Sequence, residues 1–406
     1  MRGDLQFALD AGKGRGTVPA GCADVMWCCG HVSWTAGVPI KISGWRNKLK
    51  KKIVIGLSGG VDSSVAAYLL KEQGYDVMGV TMQTGSVSGE TIADAAGVAS
   101  FLGIPYDVVD FREEFRRYVM DSFAASYEKG RTPNPCIVCN RLVKWESLLC
   151  WAKRAGVDLV ATGHYTRICK LPNGRYTLKR SRGGKDQTYV LYGLSQDQLR
   201  HTRMPLAQYG KEDVRKIARE LGLPVASKPD SQEICFIPDQ DYVKFLEEYT
   251  GRTMPKGHFV DTAGHVLGEH QGLWRYTVGQ RKGLGIALGR PAFVLALRPE
   301  TNEVVLGTNE EAFAGTLWAE EIRPMAVETI PVGEGIPLTA QIRYSHAPAP
   351  GHLWMEAEGR ARFEFNAPQR AITPGQGVVF YQEDYIYAGG TIVSQGGLAG
   401  SSDCVV

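Results

Sequence analysis

The alternation of apolar and polar positions divides the chain into two parts with different rhythms. From Ile53 to about Cys169, short β-branched runs alternate with amphipathic stretches of helical period. Strands are predicted at Ile53–Leu57, Val77–Met82, Tyr106–Val109 and Leu159–Thr162, and helices at Ser64–Gln73, Thr91–Leu102, Phe111–Lys129 and Arg141–Ala155. Such alternation builds a doubly wound, mostly parallel α/β sheet. A further hairpin is expected between Tyr176 and Gln187, and a helix from Asp213 to Leu221 that stops at Gly222 and Pro224. After about Asp241, Gly and Pro become frequent and short alternating strands appear: Phe293–Leu297, Glu303–Gly307, Leu338–Ile342, Ala361–Phe365 and Gly377–Tyr381. From Thr316 onward they predict a small closed β-barrel, a common RNA-binding shape. The expected order is an extension over 1–49, an α/β catalytic domain over 50–242, a central domain over 243–314, a C-terminal β-barrel over 315–396 and a tail over 397–406.

Composition narrows the class. With 406 residues, 44% hydrophobic and 22% charged, the chain is long enough for two or three cores. A formal net charge of +3 decides nothing about nucleic acid. No apolar run approaches the ~18 residues of a membrane span. Nine cysteines, one pair at CxxC spacing, suit reactive thiols or metal ligands in a reducing compartment, hence the cytoplasm, better than a disulfide framework. The first 49 residues fit badly with the rest. They lack a signal core, and Asp4, Asp10 and Asp24 argue against a transit peptide, so a weakly structured extension from an upstream start codon is expected.

The chemistry begins at Gly56-Leu57-Ser58-Gly59-Gly60-Val61-Asp62-Ser63-Ser64, between an apolar strand and a helix. Two glycines let backbone N–H groups approach an anion, three serines add hydroxyls, and the helix presents the positive end of its dipole. No Walker lysine follows. The string resembles the PP-loop of ATP pyrophosphatases, which cleave ATP to AMP and pyrophosphate; Asp62 is then a candidate Mg2+ ligand. Ligands of such sheets lie at the carboxyl ends of the strands, so Met82 and Gly163-His164 should face the same crevice, although Met82 reads equally well as core filler.

Two thiol segments follow. In Arg131-Thr132-Pro133-Asn134-Pro135-Cys136-Ile137-Val138-Cys139, the prolines impose an extended loop, and Cys136 and Cys139 share one face near a helix N-terminus, where the dipole favours thiolate. In Ser231-Gln232-Glu233-Ile234-Cys235-Phe236-Ile237 the thiol lies among apolar residues and by itself reads as buried. Lys179, Arg180, Arg182 and Lys185 make the densest basic stretch of this half, a candidate phosphate contact or a solvated turn, and Gly279–Gly285 is a second basic glycine loop.

Taken in order, the loop, Ala161-Thr162-Gly163-His164-Tyr165, Gly184-Lys185-Asp186-Gln187, the Cys235 segment and Thr373-Pro374-Gly375-Gln376 resemble the bacterial tRNA-specific 2-thiouridylases of the PP-loop type, from Lys51 to about Val393. The resemblance implies ATP contacts from Gly56 through Ser63, Met82 and Gly163, a nucleophile at Cys139 and a persulfide carrier at Cys235. It implies base contacts near Asn134, Pro135 and Cys136, and tRNA contacts from His164, Lys185, Asp186, Gln187, Arg343, Tyr344 and Gln376. Partners would be tRNA and a sulfur-relay protein or cysteine desulfurase. An adenylating ligase acting on a small metabolite is the alternative within the PP-loop class. Where many relatives have Asn-Pro-Asp, this chain has Asn134-Pro135-Cys136. The third thiol leaves two possibilities: a spare cysteine, or a four-iron four-sulfur cluster on Cys136, Cys139 and Cys235.

Overall fold

The computed structural model describes residues 50–229 and 234–394. The extension expected over 1–49 and the tail over 397–406 lie outside them. Five strands, β1 (Lys52–Gly56), β2 (Asp76–Gln83), β3 (Tyr106–Asp110), β4 (Val160–Ala161) and a two-residue strand, Thr202–Arg203, form a sheet in which every neighbouring pair is parallel. β1 is central, and Ile53, Val54 and Ile55 are wholly buried, as a strand covered on both faces requires. Helix α1 (Val61–Glu72) packs Val65, Ala66 and Leu70 into that core. Helix α2 (Gly89–Leu102) starts at Ser88, whose hydroxyl accepts from the Thr91 N–H, and ends at left-handed Gly103. β2 and β3 lie on one side of β1, and β4 lies on the other. The chain therefore reverses its winding beside the loop that leaves β1, where ligands of this fold bind.

The predicted helix over 111–129 forms in three continuous pieces, Arg112–Phe115, Arg116–Met120 and Asp121–Glu128, the middle one wound as a π-helix. The second long helix begins at Pro135–Val138, capped by Asn134, beside the start expected at about Cys136 and six residues before the Arg141–Ala155 pattern, and Cys139–Ser147 is again π-helical before Leu148–Arg154. The hairpin lies earlier than expected. Its strands are β5 (Arg167–Lys170) and β6 (Tyr176–Lys179), and residues 180–187 are loop. The helix after Gly210 runs Lys211–Glu220.

A helix over Tyr242–Thr250 precedes a four-stranded sheet of Gly257–Val260, Val266–His270, Phe293–Arg298 and Glu303–Gly307 around Phe259, Tyr276, Val294 and Val304. The last six strands are Phe313–Pro324, Gly335–Gln341, Ala349–Ala357, Arg360–Arg370, Gly377–Gln382 and Tyr385–Val393; pairing of the first with the last closes them into a barrel. The alternating burial along Ala349–Ala357 gives the period-2 signal of a strand with one wet face. β6 of the catalytic half joins the barrel strand Tyr385–Val393 through Lys179 and Tyr385. No helix among the described residues is long and apolar enough to cross a membrane.

Candidate active site

β1 delivers the chain into a turn whose side chains mostly serve its own shape. Leu57 and Val61 are core residues. Gly59 sits at φ +64°, and a Cβ there would stand 2.6 Å from the Thr91 carbonyl oxygen, so only glycine fits. The Ser63 hydroxyl donates to the Gly60 carbonyl at 3.1 Å and accepts from the Ser58 N–H at 3.2 Å, while Ser64 donates to the same carbonyl at 2.8 Å. From the other strand, Gly163 lies so close that a Cβ would be 2.7 Å from Ser63 N. The Met82 methyl lies 3.2 Å from where a Gly56 Cβ would be, so the part-buried thioether flanks the strand end.

Asp62 is the charged centre of the turn. Its carboxylate accepts from the Tyr165 hydroxyl at 2.6 Å and from Lys211 Nζ at 2.7 Å, and Lys185 Nζ is 3.4 Å away. Lys185 also rests over the Tyr165 ring at 4.8 Å. Two ammonium groups thus flank a loop without a Walker lysine, and they come from positions 123 and 149 residues downstream of Asp62. Lys185 therefore lies at the phosphate loop. Lys211 and Tyr165 carry no local sequence signal for that place.

The next groups inward are His164 and the thiols. His164 Nδ1 lies 2.9 Å from the Thr162 hydroxyl, and its ring is 5.3 Å from Trp145. Burial, then the charges of Lys144 and Lys185, hold the imidazole down to about 3, so it is neutral at physiological pH. An unfolded chain takes up a proton near pH 6.5 that the folded chain refuses, so stability falls as pH drops through 6.5. We expect about 2 kcal/mol of loss from this ring by pH 5, absent in His164→Asn, read as the change in urea midpoint between pH 7.5 and 5. An equal pH dependence in both proteins would reject it.

Cys139 is 7% exposed, and burial pushes its thiol up to about 12 against the pull of Lys144. The helix N-terminus does not prevail, contrary to the sequence expectation, because desolvation of a buried thiolate outweighs a terminal dipole. Cys136 reaches the surface, and its thiol too is raised, first by surrounding protein. Cys235 is exposed, which corrects its reading as a buried thiol: the apolar neighbours do the anchoring, with Phe236 packed edge-on against Phe115, Phe123 and Phe245 and Ile237 in the core. The three thiols and Lys144 feel one another's charge, and Lys144 and Lys185 both act on His164. Lys144 and Lys185 thus link the thiols, His164 and the Asp62 turn electrostatically. Among the described residues no three His, Cys, Asp or Glu side chains gather as a metal ion requires, so the cluster on Cys136, Cys139 and Cys235 has no formed site.

The residues expected to meet RNA divide into two groups. Asn134 uses its side chain to cap the helix, accepting from the Cys136 N–H at 3.1 Å, and Pro135 is buried behind it. Asp186 accepts from the Thr188 hydroxyl at 2.7 Å, and Gln187 accepts from the Tyr165 N–H at 3.0 Å, so both help to shape the loop. Lys179 pairs with Asp384 and Arg180 stacks 4.4 Å over Tyr381, so half of the basic stretch faces the barrel. Arg343 donates to the Arg370 carbonyl. Tyr344, by contrast, is 49% exposed and donates its hydroxyl to the Asp186 carbonyl at 3.4 Å. Gln376 donates to the Thr132 carbonyl at 2.7 Å, and Thr132 N–H donates to Pro374 O at 2.8 Å, clamping the loop before Cys136 to the barrel. Gln376→Ala should lower stability by about 1 kcal/mol and raise the KM for tRNA severalfold, measured by denaturation and steady-state kinetics. An unchanged KM would refute the clamp.

Comparison with known proteins agrees with this architecture. Residues 51–239 match the family described as tRNA methyl transferase HUP domain, 243–308 the tRNA methyl transferase PRC-barrel domain, and 316–392 the aminomethyltransferase beta-barrel domain. Curated relatives named tRNA-specific 2-thiouridylase MnmA are 56% identical in Lachnoclostridium phytofermentans, 51% in Carboxydothermus hydrogenoformans and 49% in Acetivibrio thermocellus. Each alignment covers 84% of this chain and, respectively, 99%, 98% and 99% of the relative. With a parallel sheet ending in a phosphate loop, a closed barrel behind it and this identity over nearly the whole length of its relatives, the chain belongs to the tRNA-specific 2-thiouridylase family.

Proposed function

We propose that this chain is an ATP-dependent tRNA sulfurtransferase that makes 2-thiouridine at the wobble position. What supports this reading is the PP-loop at the end of β1 together with the electrostatic coupling of Lys144 to His164 and to the thiols of Cys139 and Cys235. A methyl transfer, which the family's description would suggest, has no use for either the loop or a thiol pair; nor does a ligase acting on a metabolite need the thiols.

A uridine 2-carbonyl oxygen is a poor leaving group, and ATP, as co-substrate, converts it to AMP. The loop N–H groups would bind the phosphates at the start of α1, Gly163 would let the strand approach, and Met82 would flank the adenine. Lys185 and Lys211, parked on Asp62, would transfer to phosphate oxygens. The freed carboxylate is one of the few oxygens Mg2+ needs when phosphates supply the others. The base must leave its stack to reach this depth, and exposed Tyr344 offers a face on which it can rest. Exposed Cys235 would accept sulfur as a persulfide from a donor protein, and Cys139 thiolate would attack its inner sulfur: Cys139–S⁻ + Cys235–S–SH gives the Cys139–Cys235 disulfide and HS⁻, which displaces AMP. An external dithiol then reduces the disulfide. The test is nucleoside mass spectrometry of tRNA incubated with the protein, ATP, Mg2+ and a persulfide source. 2-Thiouridine should appear only with ATP; its absence with every component present would refute the proposal.

A further inference from the structure

The long helix that carries Cys139 contains a charged residue to which the proposed reaction gives no role. Lys144 is part-buried and has no carboxylate within ion-pair distance among the described residues, whereas Lys185 and Lys211 share Asp62. A part-buried ammonium without a counter-ion is costly and rarely kept without a purpose. Its place is set by the helix winding. In a regular α-helix, residues five apart point in different directions, but Cys139–Ser147 is π-helical, with i→i+5 hydrogen bonds, and the wider turn brings Cys139 and Lys144 onto one face. The segment is pinned on both sides. Asn140 donates to the Val190 carbonyl at 3.0 Å, and Trp145 donates to the Thr202 hydroxyl at 2.8 Å, so the two neighbours fix the direction in which Cys139 and Lys144 project. Burial pulls the Lys144 proton affinity down; the thiols of Cys139, Cys136 and Cys235, once ionised, pull it up by more, so they are its electrostatic partners.

We propose that Lys144 is the positioning cation of the sulfur site: its fixed charge opposes the cost of placing negative charge on buried Cys139 while sulfur passes from Cys235. In the balance given above, one negative charge enters on Cys139 sulfur and leaves on HS⁻, both beside the same ammonium, so Lys144 serves attack and departure alike. π-Turns inside helices frequently mark functional positions, and here the turn has a stated task. The inference rests on the proposed persulfide chemistry.

The test compares Lys144→Met, close in volume and uncharged, with Lys144→Arg. Iodoacetamide labelling of Cys139 at pH 8, followed by peptide mass spectrometry, should slow at least about tenfold in the Met variant and stay within about threefold in the Arg variant. Hydrosulfide release from enzyme preloaded with persulfide should follow the same order. ATP-dependent pyrophosphate release and tRNA affinity should change less than about twofold, since neither uses a charge at sulfur. Labelling at the wild-type rate in Lys144→Met would overturn the inference, as would an equal loss of tRNA affinity, which would make Lys144 an RNA contact. A coloured, iron- and sulfide-containing protein after anaerobic purification would overturn it too, by giving the thiols to a cluster. If the wild-type protein makes no 2-thiouridine, the proposed function fails, while the labelling experiment still reports on Lys144.

Discussion

Cys139→Ser and Cys235→Ser should each lower 2-thiouridine formation by at least about 10³-fold, and the double variant should be no worse, because residues that act as one unit in a reaction are non-additive. Affinity for tRNA should stay within about twofold, since neither side chain is a phosphate contact. The measurement is nucleoside mass spectrometry beside a filter-binding titration. Cys136→Ser should retain activity within severalfold: Cys136 lies at the surface, and in this scheme no bond forms to it. Full activity in either of the first two variants would end the two-thiol mechanism, and loss in all three would point to a shared cluster.

A second large effect is expected from one added methyl group. In Gly163→Ala the new carbon would stand 2.7 Å from Ser63 N and 2.8 Å from the Asp62 carbonyl carbon. Both are backbone atoms at the start of α1, so relief requires the β4 end and the phosphate loop to move apart by several tenths of an ångström. Misplacement on that scale costs about 10² in rate when the reacting groups must be aligned. ATP-dependent pyrophosphate release should fall by that factor with tRNA binding intact. A wild-type rate would mean that the strand's close approach to the loop is incidental.

The catalytic half was legible because its signals are local. Ile53 to Ile55 is apolar without interruption, and only a doubly covered strand reads that way. The PP-loop is a contiguous string, and its Gly59 is required by the close approach of Thr91 in α2. What escaped was set by distance or by winding. Lys211 reaches Asp62 across 149 residues, and nothing near position 211 announces it. Lys144 stands at a spacing that an α-helical reading sends to another face. The hairpin was expected too far along because Lys179 to Lys185 carries charges like an exposed turn, whereas Lys179 and Arg180 find their partners in the barrel. Asn134, Asp186 and Gln187 matched the family pattern, and their side chains also serve a cap and the loop geometry, a task the motif does not announce. The depth of Cys139 and the openness of Cys235 depend on tertiary packing, for Cys235 on the Phe236 cluster that anchors its neighbours.

The hairpin strand β6 is stitched edge to edge onto the barrel, and Thr132 is tied to Pro374 and Gln376 on the same body. A module joined at two seams cannot swing like a tethered arm. The interval between the barrel and the crevice therefore acts as a fixed calliper.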